Sequence, residues 1–321
     1  MKKKDVFRDI PKFDTFAKIE PLNKGWSGDK KYRIETTNGA KLLLRISDID
    51  KLERKKSEYG KLKRAAALDI NFSVPMDFGL CNNEKNVYQL LKWVDGEDLE
   101  TILPNLSERS QYILGLKAGE MLRKIHTLPA TNIVESWDAW FYRKVQDRID
   151  FYNTNPIKSE SGDLVIRYLQ DKKHLFVDRP QTFIHGDCNK TNLIAIPNGQ
   201  IGVIDFDCYN KDNDHGDPWW EFIPVNWVGD VTPHFNTGML KGYFDGEPPQ
   251  GFFEVFAYYL AYDALAELCD ASKREESEIG IRHMDNILSW LNNMQNTMPT
   301  WYHLKSDMQD IYNLWCMALG Y

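Results

Sequence analysis

Apolar positions alternate with polar ones along the first ninety residues and then fall into wider helical spacing. FAKIEPL (16–22), KKYRIET (30–36) and AKLLLRI (40–46) each place an apolar residue at every second or third position, the period of a half-buried strand. Asn38-Gly39 between the second and third runs is a strong hairpin signal. Residues 50–68, DKLERKKSEYGKLKRAAAL, read as a charged helix that ends before Val74-Pro75. MDFGL and NVYQLLKWV, around the polar turn CNNEK, predict two further strands. Five strands and one helix make a sensible N-terminal unit.

Beyond Asp95-Gly96 the pattern becomes helical. In residues 107–127, Ile113, Leu114, Leu116, Met121, Leu122 and Ile125 form one stripe, and residues 136–152 and 160–173 predict more helices. LIAI and IGVI, around Pro197-Asn198-Gly199, are two short strands in the middle of this part. From Pro218 onward the chain reads as helices rich in Trp, Tyr and Phe. There is no internal repeat or low-complexity tract. The boundaries predicted are residues 1–92 for a sheet domain and 93–321 for a larger, mainly helical one.

The overall charge of −7 is unevenly divided. Residues 1–92 hold 21 Lys and Arg against 13 Asp and Glu, or +8, and the remainder holds 19 against 34, or −15. A basic part beside an acidic part fits an anionic ligand near the first and a cationic one near the second; solubility alone accounts for the same numbers. No basic patch with interleaved aromatics points to nucleic acid. Five scattered cysteines (Cys81, Cys188, Cys208, Cys269, Cys316) without a CxxC pair argue for a reducing compartment. The basic start MKKKDVFRDIPKF has no apolar core of a secretory leader, and no apolar run approaches a membrane span. A cytoplasmic protein, monomeric or dimeric, is the expectation.

The richest stretch is FIHGDCNKTNLIAIPNGQIGVIDFD, Phe183 to Asp207. Buried carboxylates are costly unless paired or bound to a metal. Asp187 is followed five residues later by Asn192, and Asp205 ends the next hairpin. Phosphoryl transfer needs one carboxylate to orient and deprotonate the attacking hydroxyl. It also needs an Asp and an Asn to hold Mg²⁺ against the phosphate oxygens. His185, His215, Cys188 and Cys208 fit no zinc-site spacing.

HGDCNKTN resembles the HGDxxxxN motif of the aminoglycoside phosphotransferase-like kinases, and IDFD their version of the kinase DFG element. The resemblance extends over nearly the full chain. It implies an α+β, bilobal protein-kinase-like fold with a small antiparallel N-lobe and a larger helical C-lobe. Gly186 stands where protein kinases have Arg, and no APE element follows, which argues against phospho-regulated protein kinase activity. The resemblance implies Asp187 as catalytic base and Asn192 and Asp205 as Mg²⁺ ligands. His185 is expected to brace the loop, and Asp207 either reaches a metal through water or faces solvent.

Further roles follow from the same resemblance. Gly25, Ser27 and Gly28 would let backbone N–H groups approach the phosphates. Family members often carry Lys in a strand like LYLKM; here LLLRI puts Arg45 at that position, with Glu58 (Glu53 next) as its helix partner. The backbone of Leu91 to Trp93 would meet the base of ATP or GTP at an interlobe hinge, although Trp93 equally suits sheet packing. His215-Gly216-Asp217-Pro218-Trp219-Trp220-Glu221-Phe222 resembles GDPxxDLA, so Asp217 is expected to brace the catalytic loop and Glu221 to lie near the acceptor pocket or support it, although an acid followed by Pro is also ordinary helix capping. Apart from the resemblance, the spacings of four and three put Asp263, Glu267 and Asp270 on one helix face that would bind a cationic acceptor or face water. The expected activity is transfer of a γ-phosphate to a hydroxyl of an aminoglycoside-like molecule, hence antibiotic resistance. Choline, a macrolide or another small metabolite is the alternative acceptor, and a nucleotide-binding pseudokinase is the alternative of another class.

Overall fold

The hairpin predicted at Asn38-Gly39 forms in the computed structural model, which describes residues 5–23, 28–155, 158–197, 199–206, 214–223 and 232–302. Strands β1 (Phe16–Leu22), β2 (Lys30–Thr36) and β3 (Lys41–Asp48) are followed by helix α1 (Leu52–Ala65). The short strand β4 (Asn71–Phe72) precedes β5 (Pro75–Cys81), β6 (Asn86–Lys92) and β7 (Glu97–Asp98). The main sheet has the order β1-β2-β3-β6-β5, and all its pairs are antiparallel. Ile34, Leu44, Ile46, Tyr88 and Leu90 cover one face with Phe7, Ile10 and Cys81. Alternation then sends Arg45 and Ser47 of β3 to the opposite face, where α1 packs.

Helices α2 (Leu99–Ile102), α3 (Glu108–Ile125), α4 (Trp137–Thr154) and α5 (Glu160–Asp171) come next. Serines cap three of them: Ser107, Ser136 and Ser159 accept from the backbone N–H groups of Ser110, Ala139 and Gly162. Strands β8 (Thr182–Phe183), β9 (Leu193–Ile196), β10 (Gln200–Val203) and β11 (His215–Gly216) follow, then a 3₁₀ turn at Pro218–Phe222. Among the described residues the order closes with α6 (Pro233–Phe244), α7 (Phe252–Lys273) and α8 (Ser277–Trp290).

Two compact units result. One comprises Met1–Leu99, His185–Asp187 and Asn192–Asp214; the other comprises Glu100–Ile184, Cys188–Thr191 and His215–Tyr321. In the first, the β9–β10 hairpin lies between two-residue strands in the order β4-β10-β9-β7. Gly202 pairs with Asn71 in parallel and Asp98 with Ile194 in antiparallel register. The hairpin carrying Asn192 and Asp205 at its ends is thus built into the same unit as the main sheet.

The second unit is helical, and its closest packing involves glycine. The predicted stripe of α3 leaves Ile113 and Leu114 half-buried, while Gly115 and Gly119 join the buried face. A Cβ on Gly119 would lie 2.0 Å from the Met239 carbonyl oxygen, and one on Gly242 2.0 Å from that of Leu116. A Cβ on Gly115 or Gly238 would lie 2.2 or 2.3 Å from the facing carbonyl oxygen of Phe235 or Tyr112. Helices α3 and α6 therefore cross backbone to backbone, which any larger residue would prevent. Trp137, Phe141, Phe176, Trp220 and Tyr259 fill another part of this unit's interior. Among the described residues no helix is long and apolar enough to cross a membrane.

Candidate active site

Gly186 has φ +91°, a conformation glycine adopts without strain, and it folds the loop so that the Asp187 N–H donates to Nδ1 of its neighbour His185 at 3.1 Å. Because Nδ1 accepts, Nε2 carries the ring proton, and it donates to the Ile204 carbonyl at 3.0 Å. His185 is wholly buried and packs against the Phe206 ring. It therefore ties the residue before the Asp187 turn to the end of β10.

Asn192 closes the loop. Its Nδ2 donates to the Asp187 carboxylate at 2.8 Å and to the Asp187 carbonyl at 2.9 Å. Its own carbonyl accepts from the Ile204 N–H at 2.9 Å. Asp187 and Asp205 are thus joined through one carboxamide residue. Asp205 has φ +61°, a left-handed backbone that Asp tolerates better than most residues. Its Oδ1 accepts from Arg45 Nη1 at 2.7 Å. Burial pushes the Asp205 carboxyl up, but the charges of Arg45 and Lys31 and the Arg45 hydrogen bond outweigh it and hold the group below its usual range.

The remaining edge of Arg45 faces Asp29. Nη2 and Nε donate to Asp29 Oδ2 at 3.0 and 3.3 Å, and Lys55 Nζ donates to the same oxygen at 2.9 Å. Ser47 Oγ donates to Asp29 Oδ1 at 2.7 Å. Burial raises the Asp29 carboxyl, yet the hydrogen bonds from Lys55 and Ser47 and the Arg45 and Lys55 charges bring it down to about 2. Burial acts against the Arg45 cation too, and Asp205, Asp29 and Glu58 more than reverse it.

The expected ion pair between Arg45 and Glu58 is not made. Glu58 accepts instead from Lys55 Nζ at 2.7 Å and Arg54 Nε at 2.8 Å. The reason is local: Asp29 and Asp205 already occupy the guanidinium, and Lys55, one turn before Glu58 on α1, lies between Glu58 and Asp29. Asp29, Lys55 and Ser47 were not singled out in the sequence. The hairpin register contained a signal. Lys31 pairs with Arg45 and Lys30 with Ile46, so the next step of the ladder sets Asp29 against Ser47.

Other expected positions are distributed as follows. Gly28 has φ +66° at the end of its loop, while Gly25, Ser27 and Asp207 lie outside the described residues. Leu91 is buried in β6, opposite Leu43. Trp93 donates its backbone N–H to the Lys41 carbonyl and lies under Arg33, so that N–H is committed to the sheet.

The second unit holds the remaining expected positions. Asp217 belongs to the helical unit. It is wholly buried, takes a bidentate pair of bonds from Arg179 at 2.6 and 2.9 Å, and accepts from the Tyr259 hydroxyl and the Trp219 N–H. Pro218 starts the 3₁₀ turn that directs Glu221 inward, where it is fully buried 3.6 Å from His126 Nε2 and has no exposed surface for an acceptor. Asp263, 6% exposed, bonds His283 at 2.8 Å, Glu267 pairs with Arg274, and Asp270 with Arg148. The spacing did put these acids on one helix, but basic side chains from α4, α8 and the end of α7 neutralise the face.

Comparison with known proteins follows this geometry. The phosphotransferase enzyme family matches residues 18–253. The chain belongs to that family. Phosphotransfer is accordingly its activity class. A search of curated sequences finds no match. Among solved structures, the GDP complex of aminoglycoside 2'-phosphotransferase-IIIa has a TM-score of 0.64 at 14% identity, over 88% of this chain and 96% of that one. ADP-bound aminoglycoside phosphotransferase APH(2'')-Ib has a TM-score of 0.61 at 15% identity, over 95% of this chain and 100% of that one. A choline/ethanolamine kinase family protein from Mesorhizobium loti has 0.60 at 13%, over 92% and 96%. At these identities the likeness concerns the fold, which is the expected protein-kinase-like α+β fold with an antiparallel sheet unit and a helical unit.

Proposed function

We propose that this phosphotransferase moves the γ-phosphoryl group of ATP or GTP to a hydroxyl of a small, aminoglycoside-like acceptor. The observation that carries the proposal is the Asn192 bridge between Asp187 and the strand end bearing Asp205. Structural neighbours that are aminoglycoside phosphotransferases favour that acceptor class, and the −15 charge of residues 93–321 suits a cation. Choline is the second reading, supported by the choline/ethanolamine kinase neighbour.

Asp187 is the base in this reading. It is half-buried, and the Asn192 bond fixes the rotation of its carboxylate. An acceptor hydroxyl bonded to it is oriented for in-line attack and gives up its proton as the new P–O bond forms and the bond to the leaving nucleotide breaks. Arg45 offers the donors not taken by Asp29 and Asp205 to the phosphate oxygens. The donor set fits Mg²⁺: Asp205 supplies carboxylate oxygen, and Asn192, whose Nδ2 is turned to Asp187, keeps Oδ1 for a cation. When bound there, Mg²⁺ would neutralise charge on the phosphate oxygens.

The test is release of ADP or GDP in the presence of a panel of aminoglycosides, macrolides and choline. Release that depends on one of these alcohols supports the proposal. Nucleotide binding with no transfer to any of them would favour a pseudokinase.

A further inference from the structure

The acid that aligns the β3 cation comes from an unexpected element. Asp29 lies one residue after Gly28 and immediately before β2, and its side chain has no exposed surface. Arg45 and Lys55, 9% and 3% exposed, converge on its Oδ2 from β3 and from α1. Two buried cations beside each other need an anion between them. Glu58 does not serve, because its bonds go to Lys55 and Arg54.

The geometry of the guanidinium sharpens this. Arginine presents five N–H groups in a rigid planar fork. Asp29 takes the Nε and Nη2 edge, which fixes the plane, and Nη1 is then directed at Asp205. Ser47 holds the other Asp29 oxygen and so fixes the carboxylate in turn. Gln89, opposite Arg45 in the β3–β6 ladder, donates to the Lys55 carbonyl at 3.1 Å and ties α1 to the sheet at the same level.

We infer that Asp29 is the positioning residue for the phosphate-binding cation. It replaces the helix glutamate in that task, holds Arg45 edge-on toward Asp205, and couples Arg45 to Lys55 on α1 through one carboxylate oxygen. The inference rests on Arg45 as the phosphate contact of the proposed kinase. It adds that the residue preceding β2 and helix α1 set the nucleotide affinity together, with Asp29 as the shared anion.

The experiment uses the full-length protein labelled with ¹⁵N. The Arg45 Nε–H resonance, assigned by its loss in Arg45→Lys, is expected to exchange slowly with solvent, to lose that protection in Asp29→Asn, and to keep it in Glu58→Gln. In titrations with ADP and GDP plus MgCl₂, Asp29→Asn should weaken binding about tenfold or more, the scale of a hydrogen bond to a charged group. Glu58→Gln should change it less than about threefold on the same scale. The double variant Asp29→Asn/Arg45→Lys should be little worse than the weaker single one, since both act on one contact. Turnover should divide the same way, with nucleotide KM raised in Asp29→Asn and acceptor KM unchanged.

If Asp29→Asn does not fold, Asp29→Glu and Glu58→Gln decide. A protected Arg45 resonance and near-normal affinity in Asp29→Glu, with Glu58→Gln also mild, support the inference. An Arg45 resonance indifferent to Asp29→Asn, or lost in Glu58→Gln, overturns it. Failure of the unmodified protein to bind either nucleotide overturns the kinase reading itself, and the resonance, which needs no ligand, separates the two failures.

Discussion

The Asn192 carboxamide donates to the Asp187 carboxylate at 2.8 Å, and the Asn192 carbonyl accepts from the residue preceding Asp205. One side chain therefore orients the proposed base, while its backbone sets the distance to the proposed metal-binding strand end. Asn192→Ala should reduce kcat and raise the Mg²⁺ concentration needed for half-maximal rate. A rate indifferent to metal in the variant would contradict the ligand assignment. Loss of a positioned base costs about 10²–10⁴ in rate, so Asp187→Asn should fall at least that far in steady-state assays.

Asp29 gives a pH prediction. Its carboxyl lies at about 2 in the folded protein against an ordinary 3.8, so the folded state binds fewer protons than the unfolded state between those values. The associated stability is complete above the ordinary value and is lost as pH falls toward 2, on the order of 2 kcal/mol in all. Asp29→Asn should flatten the acid limb of stability against pH, measured by urea denaturation from pH 6 to pH 2.5. An unchanged acid limb would contradict the buried pairing.

The α3–α6 crossing predicts steric sensitivity. A Cβ at Gly119 would meet the Met239 carbonyl oxygen at 2.0 Å, too close for any relaxation confined to side chains. Gly119→Ala should destabilise the protein by at least about 2 kcal/mol despite the better helix propensity of Ala, read as a lowered Tm. Gly60 on α1, with open space around it, should tolerate Ala with little change.

Arg179 and Asp217 form a buried bidentate pair completed by Tyr259, whose hydroxyl also accepts from Trp137 Nε1. Removing Arg179 leaves the enclosed carboxylate without a countercharge, with only the Tyr259 hydroxyl and the Trp219 N–H donating to it. Arg179→Ala should cost about 3–5 kcal/mol in chemical denaturation. A cost near zero would show that water replaces the guanidinium.

Much of this was legible in the chain because it is local. The hairpin at Asn38-Gly39 and the β1, β2, β5 and β6 runs are visible in alternation, and the serine-capped helices in their spacing. Asn192 lies within one loop of Asp187, so the motif brings the two together by connectivity. The two-residue strands β4 and β7 were not legible, since two positions define no period. The roles of Gly115 and Gly119 were not legible, because the facing glycines of α6 come close to them only through folding. The acids Asp263 and Glu267 resembled a binding stripe because their partners, His283 and Arg274, meet them only through folding. Asp29 was not singled out, because its importance comes from Arg45 and Lys55, which reach it from two other elements.

The most direct measurement is transfer of label from γ-labelled ATP and GTP to an alcohol, with Mg²⁺, comparing the unmodified protein with Asp187→Asn. The account predicts a phosphorylated aminoglycoside-like or choline-type product from the unmodified protein. It predicts none above background from Asp187→Asn, which should still bind nucleotide with unchanged affinity. Equal transfer by the two proteins would contradict the assignment of Asp187 as the base.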